Sequence, residues 1–159
     1  MHGICFVAPG QVEWRELDDP RIEQPTDALV EVEIAGLCGS DLHPFFGREV
    51  GLDSGTVMGH EFVGRIVDVG TAVQSVRVGD RVYAPFSTSC GTCQTCQSGL
   101  TSRCERGQLF GWRQHGVGLH GGQAERVRVP LADGTLKVVP SALSPDAALL
   151  LGDNFSPAW

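Results

Sequence analysis

The sequence predicts a mainly β fold, a barrel or sandwich of short strands, and three observations carry that prediction. Apolar runs of strand length recur along the chain, bounded by turn residues. Its 21 glycines and nine prolines are more punctuation than a helical bundle tolerates. Helix start signals occur in only two places. At 159 residues, with 42% hydrophobic and 19% charged residues, the chain has the size and composition of one globular domain.

In chain order, Gly3 to Ala8 and Val12 to Glu16 read as a hairpin about Pro9-Gly10. Leu29 to Ala35 alternates, with Val30, Val32 and Ile34 on one face and Glu31 and Glu33 on the other. Phe62 to Val69 is a longer apolar run, and Arg81 to Ala84 follows a Val78-Gly79-Asp80 turn. Gln123 to Val129 alternates again, Ala124, Val127 and Val129 against Glu125, Arg126 and Arg128, and Leu136 to Val139 is closed by Pro140. A short helix is expected near Ser40. A firmer one starts at Ser144 as N-cap, with Pro145 at its first position and Asp146 at its positive end, and runs to Gly152. Residues 85–122 are polar, rich in Gly and Cys, and without periodicity, so something must hold them.

The formal charge is −7, from 12 basic and 19 acidic residues, which argues against a nucleic acid or an anionic membrane as partner. There is no run of about 18 apolar residues, nor a basic N-terminus followed by an apolar one. A cytoplasmic protein is therefore expected. In that compartment thiols stay reduced, and six cysteines point to metal rather than disulfides.

Cys90, Cys93, Cys96 and Cys104 form C-x2-C-x2-C-x7-C, four thiols within fifteen residues. Zinc takes four soft ligands in a tetrahedron, and a CxxC turn delivers two sulfurs to one centre. Four thiolates leave no open position, so this site would be structural. Disulfides and an iron–sulfur cluster are the rival readings of the same spacing. A second group comprises Cys38, just past one strand, and His60-Glu61, directly before the next. From spacing alone a catalytic metal and an ordinary buried Cys with a satisfied core His both remain open.

Four motifs lie in order along the chain: Gly36-x-Cys38-Gly39-Ser40-Asp41-x-His43, Gly59-His60-Glu61-x-x-Gly64, Val78-Gly79-Asp80-Arg81-Val82, and the four-cysteine lobe. Gly121-Gly122-Gln123-Ala124-Glu125 and Val129-Pro130 extend the series. Together they resemble the zinc-dependent medium-chain alcohol dehydrogenases, over essentially the whole chain. The resemblance implies a GroES-like, partly open β-barrel with a zinc-binding lobe and few short helices. It implies Cys38 and His60 as ligands of a catalytic zinc. Asp153 stands where the family usually has its third ligand, a Cys, and members resembling formaldehyde and secondary-alcohol dehydrogenases use Asp there. Glu61 would support the ligands or exchange with water as one of them. Ser40 would contact substrate, and His43, nearer solvent, would pass its proton on. A cap for the helix near residue 40 is the other reading of Ser40.

The resemblance further implies two zinc ions, a small alcohol or carbonyl substrate, a homo-oligomer, and NAD or NADP held by a Rossmann domain. Residues 1–150 would form the catalytic domain, with its zinc lobe at 85–122, and residues 151–159 the start of the connection to that missing domain. The isolated chain is accordingly expected to be inactive. A stand-alone, non-catalytic GroES-like zinc-binding module is the competing reading, and a zinc-free quinone reductase relative is disfavoured by both cysteine sets. Phe45, Phe46, Trp112 and Phe155 are candidates for an apolar substrate wall.

Gly116-Val117-Gly118-Leu119-His120-Gly121 spells GxGxxG, but a dinucleotide fingerprint follows a buried strand and opens a helix. Neither flank fits, so the match is rejected. His115 and His120 then read as loop residues, His2 as a terminal one, and Cys5 as a small core residue.

Overall fold

Pro9 and Gly10 reverse the chain between β1 (His2–Ala8) and β2 (Gln11–Glu16), which pair antiparallel as the first hairpin. The computed structural model describes residues 1–153, and in them the remaining strands are β3 (Ala28–Ala35), β4 (Phe62–Val69), β5 (Arg81–Ala84), β6 (Trp112–Gln114), β7 (Val117–Leu119), β8 (Arg126–Val129) and β9 (Lys137–Val138). Five of them form an antiparallel sheet in the order β8-β3-β4-β5-β9. Its inner face buries Val30, Phe62, Ile66, Val82, Val127 and Val129, the apolar halves of the alternating runs. The register of β3 against β4 shifts between Leu29 and Val30 and again between Val32 and Ile34. Such irregularities bend a sheet.

The sheet stays open. Single bridges from Gly3 to Ala124 and from Cys5 to Val57 tie the first hairpin to the segments that lead into β8 and β4. The run 123–129 is one strand in the sequence pattern but splits in the fold: Arg126–Val129 pairs with β3, while Gln123 and Glu125 bond to Ile4 and His2 of β1. Cys5 is fully buried there, as expected.

Four short helices occur among the described residues: α1 (Leu42–Phe45), α2 (Gln94–Gln97), α3 (Ala132–Thr135) and α4 (Pro145–Gly152). Only α1 and α4 were marked by sequence signals. The Ser144 side chain caps α4 by accepting from the Ala147 N–H at 3.2 Å, and Pro145 fills its first turn. Ala148 of α4 packs with Val63 and Val139, which seats the helix on the sheet and delivers Asp153 at its end. The β6–β7 hairpin was not foreseen within 85–122. His115 (φ 54) and Gly116 (φ 77) form its two-residue turn, both in the left-handed region that such a turn demands. The GxGxxG letters therefore lie on a hairpin, with no helix behind them. No helix of the described residues is long and apolar enough to cross a membrane.

Candidate metal centre

β3 ends at Ala35, and the chain turns through Gly36 and Leu37 to Cys38, whose extended backbone opens a 3-10 turn over Gly39–Asp41. The buried Asp41 reaches back, its Oδ2 accepting from the Cys38 N–H at 2.9 Å. Its Oδ1 lies 3.3 Å from Nδ1 of His60. One carboxylate thus fixes the Cys38 backbone and sets the His60 ring, turning Nε2 toward the other donors. His60 Nε2 lies 3.5 Å from Asp153 Oδ2, and Cys38 Sγ lies 3.4 Å from the same oxygen. Donor atoms of Cys38, His60, Glu61 and Asp153 all lie within 4.8 Å of one another.

The two separations from Asp153 Oδ2, 3.4 and 3.5 Å, match the edges of a tetrahedron about an ion bonded at 2.0–2.3 Å, which are roughly 3.3–3.8 Å. The electrostatics reflect the same crowding of acidic groups. Burial opposes a charge on His60, but the hydrogen bond and the attraction of Asp41, with a smaller contribution from Cys38, push its imidazole up to about 9. Burial, and then the neighbouring Asp153, push the Glu61 carboxyl upward. Two carboxylates and a thiol crowded into one buried volume repel as anions unless a cation sits among them. The donor set, N, O and S together, suits zinc.

A cavity of about 400 Å³ opens on this group, with His60 and Asp153 in its wall. Ser40 lines it, with Oγ 3.7 Å from Cys38 Sγ, and Met58, Phe86, Leu109, Phe110 and Trp112 supply the apolar surface. Of the aromatic residues expected in this wall, Trp112 is present. Phe45 and Phe46 are not among its lining residues; they meet edge-on, 5.2 Å between ring centres. Phe155 lies outside the described residues. His43, on α1, is exposed and does not line the cavity. Ser40 caps neither turn: Cys38 holds that position for the 3-10 turn and Asp41 for α1.

The four-cysteine lobe is a second, separate donor group. Cys90 and Cys96 sulfurs lie 4.0 Å apart, as do those of Cys93 and Cys104, about twice the length of a disulfide bond. All four are free thiols. Backbone N–H groups of Thr92 and Cys93 donate to Cys90 Sγ at 3.5 and 3.3 Å, and those of Cys90 and Arg106 donate to Cys104 Sγ at 3.3 and 3.4 Å. The Thr92 N–H, with Arg106 beside it, pushes the Cys90 thiol down to about 4. That favours the thiolate a metal binds.

The model of the alcohol dehydrogenase GroES-like domain matches residues 24–140. The chain belongs to this family. It is 46% identical over 155 residues to the medium chain reductase/dehydrogenase ucsI of an Acremonium species, covering 98% of this chain and 52% of that protein. Against the zinc-type alcohol dehydrogenase B of Aspergillus flavus the identity is 43%, over 98% of this chain and 35% of the other. Among solved structures, the alcohol dehydrogenase TADH of Thermus sp. ATN1 superposes with a TM-score of 0.93 at 41% identity, covering 99% of this chain and 45% of that one. The chain thus spans about half, or less, of the relatives it matches. Its open sheet with a cysteine lobe is the GroES-like architecture of that family.

Asp41 is the residue that reasoning from sequence left without a role. Its signal was present: an acid three residues after Cys38 at the start of a helical turn can cap that turn and still offer a second oxygen. What the sequence does not disclose is that His60 meets that oxygen.

Proposed function

We propose that this chain is the metal-binding catalytic domain of a zinc-dependent, nicotinamide-linked alcohol dehydrogenase. The observation that carries this reading is the convergence of Cys38, His60 and Asp153 beside a mainly apolar cavity that also exposes Ser40. Cys38, His60 and Asp153 would hold one zinc, with Glu61 supporting these ligands or exchanging with water as one of them; Cys90, Cys93, Cys96 and Cys104 would hold another. When bound at the first site, zinc acts as a Lewis acid that makes a hydroxyl more acidic or polarises a carbonyl.

The chain's own residues would do the rest. Apolar walls exclude water and accept the hydrocarbon part of a small alcohol, aldehyde or ketone. The Ser40 hydroxyl can accept a proton and donate one at the same time, and the exposed imidazole of His43 can pass a proton on to solvent. Asp41 keeps the His60 ring turned toward its task. NAD or NADP would be held by a Rossmann unit beyond residues 1–150, in a cytoplasmic homo-oligomer.

Two measurements test the reading. Metal analysis of the purified chain should return two zinc ions; iron with visible colour would overturn the cysteine-lobe assignment. In protein that includes a cofactor unit, alcohol-dependent reduction of NAD or NADP should appear, and Ser40→Ala should cut turnover by roughly 10²–10⁴-fold. Unchanged kinetics would remove Ser40 from the proton path.

A further inference from the structure

Gln123 lies between the two segments that deliver Cys38 and His60 and belongs to neither. Its backbone is anchored first: its N–H donates to Met58 O at 2.9 Å, and its carbonyl accepts from the Ile4 N–H at 2.8 Å. From that anchor the side chain passes over Gly59, whose positive φ of +87° and missing Cβ leave room for the Gln123 Cγ and Cδ. The side-chain amide then donates from Nε2 to the carbonyl of Gly36 at 2.9 Å. Gly36 is held on its other side as well. Its N–H donates to Glu61 O at 2.9 Å, and the Glu61 carboxylate occupies the space a Cβ at Gly36 would fill.

We infer that Gln123 is a positioning residue for the Cys38–His60–Asp153 centre, its stem filling the space above Gly59 and its amide fixing the carbonyl of Gly36. Gly59 is one residue before His60, and Gly36 is two before Cys38. Neither glycine has a side chain with which to hold its own peptide, and each sits where the backbone must turn toward the metal site. A rotation of the Gly36-Leu37 peptide would swing the direction from which Cys38 Sγ approaches. One side chain fixed at its base to β1 and to Met58 removes that freedom in both segments, and it does so without touching substrate or metal. Outer groups of this kind orient ligands and set metal affinity.

The inference rests on the metal reading of the preceding subsection, and the test separates the two. Gln123→Met keeps the length and bulk over Gly59 and removes only the donor. The 159-residue chain is loaded with zinc at the four-cysteine site and cobalt at the Cys38 site, then titrated with a chelator while the thiolate-to-cobalt absorption is followed. Gln123→Met should release its cobalt at about tenfold lower chelator concentration, with a shifted absorption band and unchanged zinc retention in the lobe. Gln123→Glu, which faces the Gly36 carbonyl with an acceptor, should loosen the cobalt further. Equal affinity and an identical band in Gln123→Met overturn the positioning role while leaving the metal reading intact. Failure of the unaltered chain to take up cobalt at Cys38 overturns both. Should the variants unfold, the unaltered chain still decides: the side-chain amide protons of Gln123 should exchange slowly with solvent, and rapid, solvent-like exchange refutes the bond to Gly36.

Discussion

The two donor groups of this chain are built on opposite plans. The cysteine lobe takes its four donors from fifteen consecutive residues, and its sulfurs are steadied by N–H groups of the same stretch. The Cys38 centre gathers its donors from three places: the end of β3, the start of β4 and the end of α4. A local knot of this kind can close before the rest of the chain has folded, but with a proposed ion at its centre it would depend on that ion. A centre assembled from distant segments inherits its geometry from the sheet, so it keeps its shape more independently of the ion and can afford an open ligand position. One plan suits scaffolding and the other suits chemistry.

The largest expected effect falls on the lobe. In Cys90→Ser one of two zinc ions should be lost and amide protection across 90–104 should vanish, because structural zinc contributes about 10–16 kcal/mol of binding energy that doubles as folding energy in small metal domains. Protection in β3 and β4 should persist. If the lobe stays ordered without its ion, the contrast between the two plans collapses.

His60→Ala should do the reverse. It removes a proposed ligand from a centre whose other parts are held by β4, α4 and the Asp41 turn, so the second zinc should be lost while the spectrum of the sheet is retained. Metal analysis combined with circular dichroism reads both. A general unfolding on this substitution would show that the sheet leans on the ion after all.

How legible each region was follows from the same contrast. The lobe could be read directly, since four cysteines at close spacing have few other uses. β1 to β5 were legible because alternation and turn residues repeat over enough positions to be seen. The elements that escaped notice, α2, α3 and the β6–β7 hairpin, are three or four residues long, shorter than any period. Tertiary partners stabilise them: Asp53, far from the hairpin in sequence, accepts from the His115 and Gly116 N–H groups at 3.0 and 2.7 Å. At the Cys38 centre, Cys38 and His60 stood out by motif and Asp153 by family resemblance. Asp41 and Gln123 did not, because each acts through a contact that exists only once β3, β4 and the 121–125 segment are side by side.

Asp41→Asn gives the next smaller effect and tests the interior plan without removing a ligand. The amide keeps a cap for the Cys38 N–H but gives up the negative charge that faces His60 Nδ1. Metal affinity at that centre should fall by about 10–100-fold, with the lobe's zinc unaffected. Unaltered affinity would mean that the ring is oriented by packing alone.

The smallest effect concerns the approach to His60 and is read through pH. His120 Nδ1 accepts from the Val57 N–H at 3.0 Å, pinning the segment that leads through Gly59 to His60, and Arg113 Nη1 stands 3.0 Å from Nε2. Burial, then the charges of Arg113 and Arg128, lower the pKa of this imidazole from 6.5 to about 4. Between those values the unfolded chain binds a proton that the folded chain refuses. Its contribution to stability is therefore complete above pH 6.5 and is lost as pH falls toward about 4. His120 is an exposed residue, so solvent screening keeps the effect modest. His120→Gln removes the titrating group, and the fall of the thermal midpoint across that window should become shallower than in the parent chain. The protection factor of the Val57 amide should fall in the parent as the medium is acidified, because a protonated Nδ1 can no longer accept its hydrogen bond. Identical pH slopes in the two proteins would leave His120 a loop residue with no part in holding the interior centre.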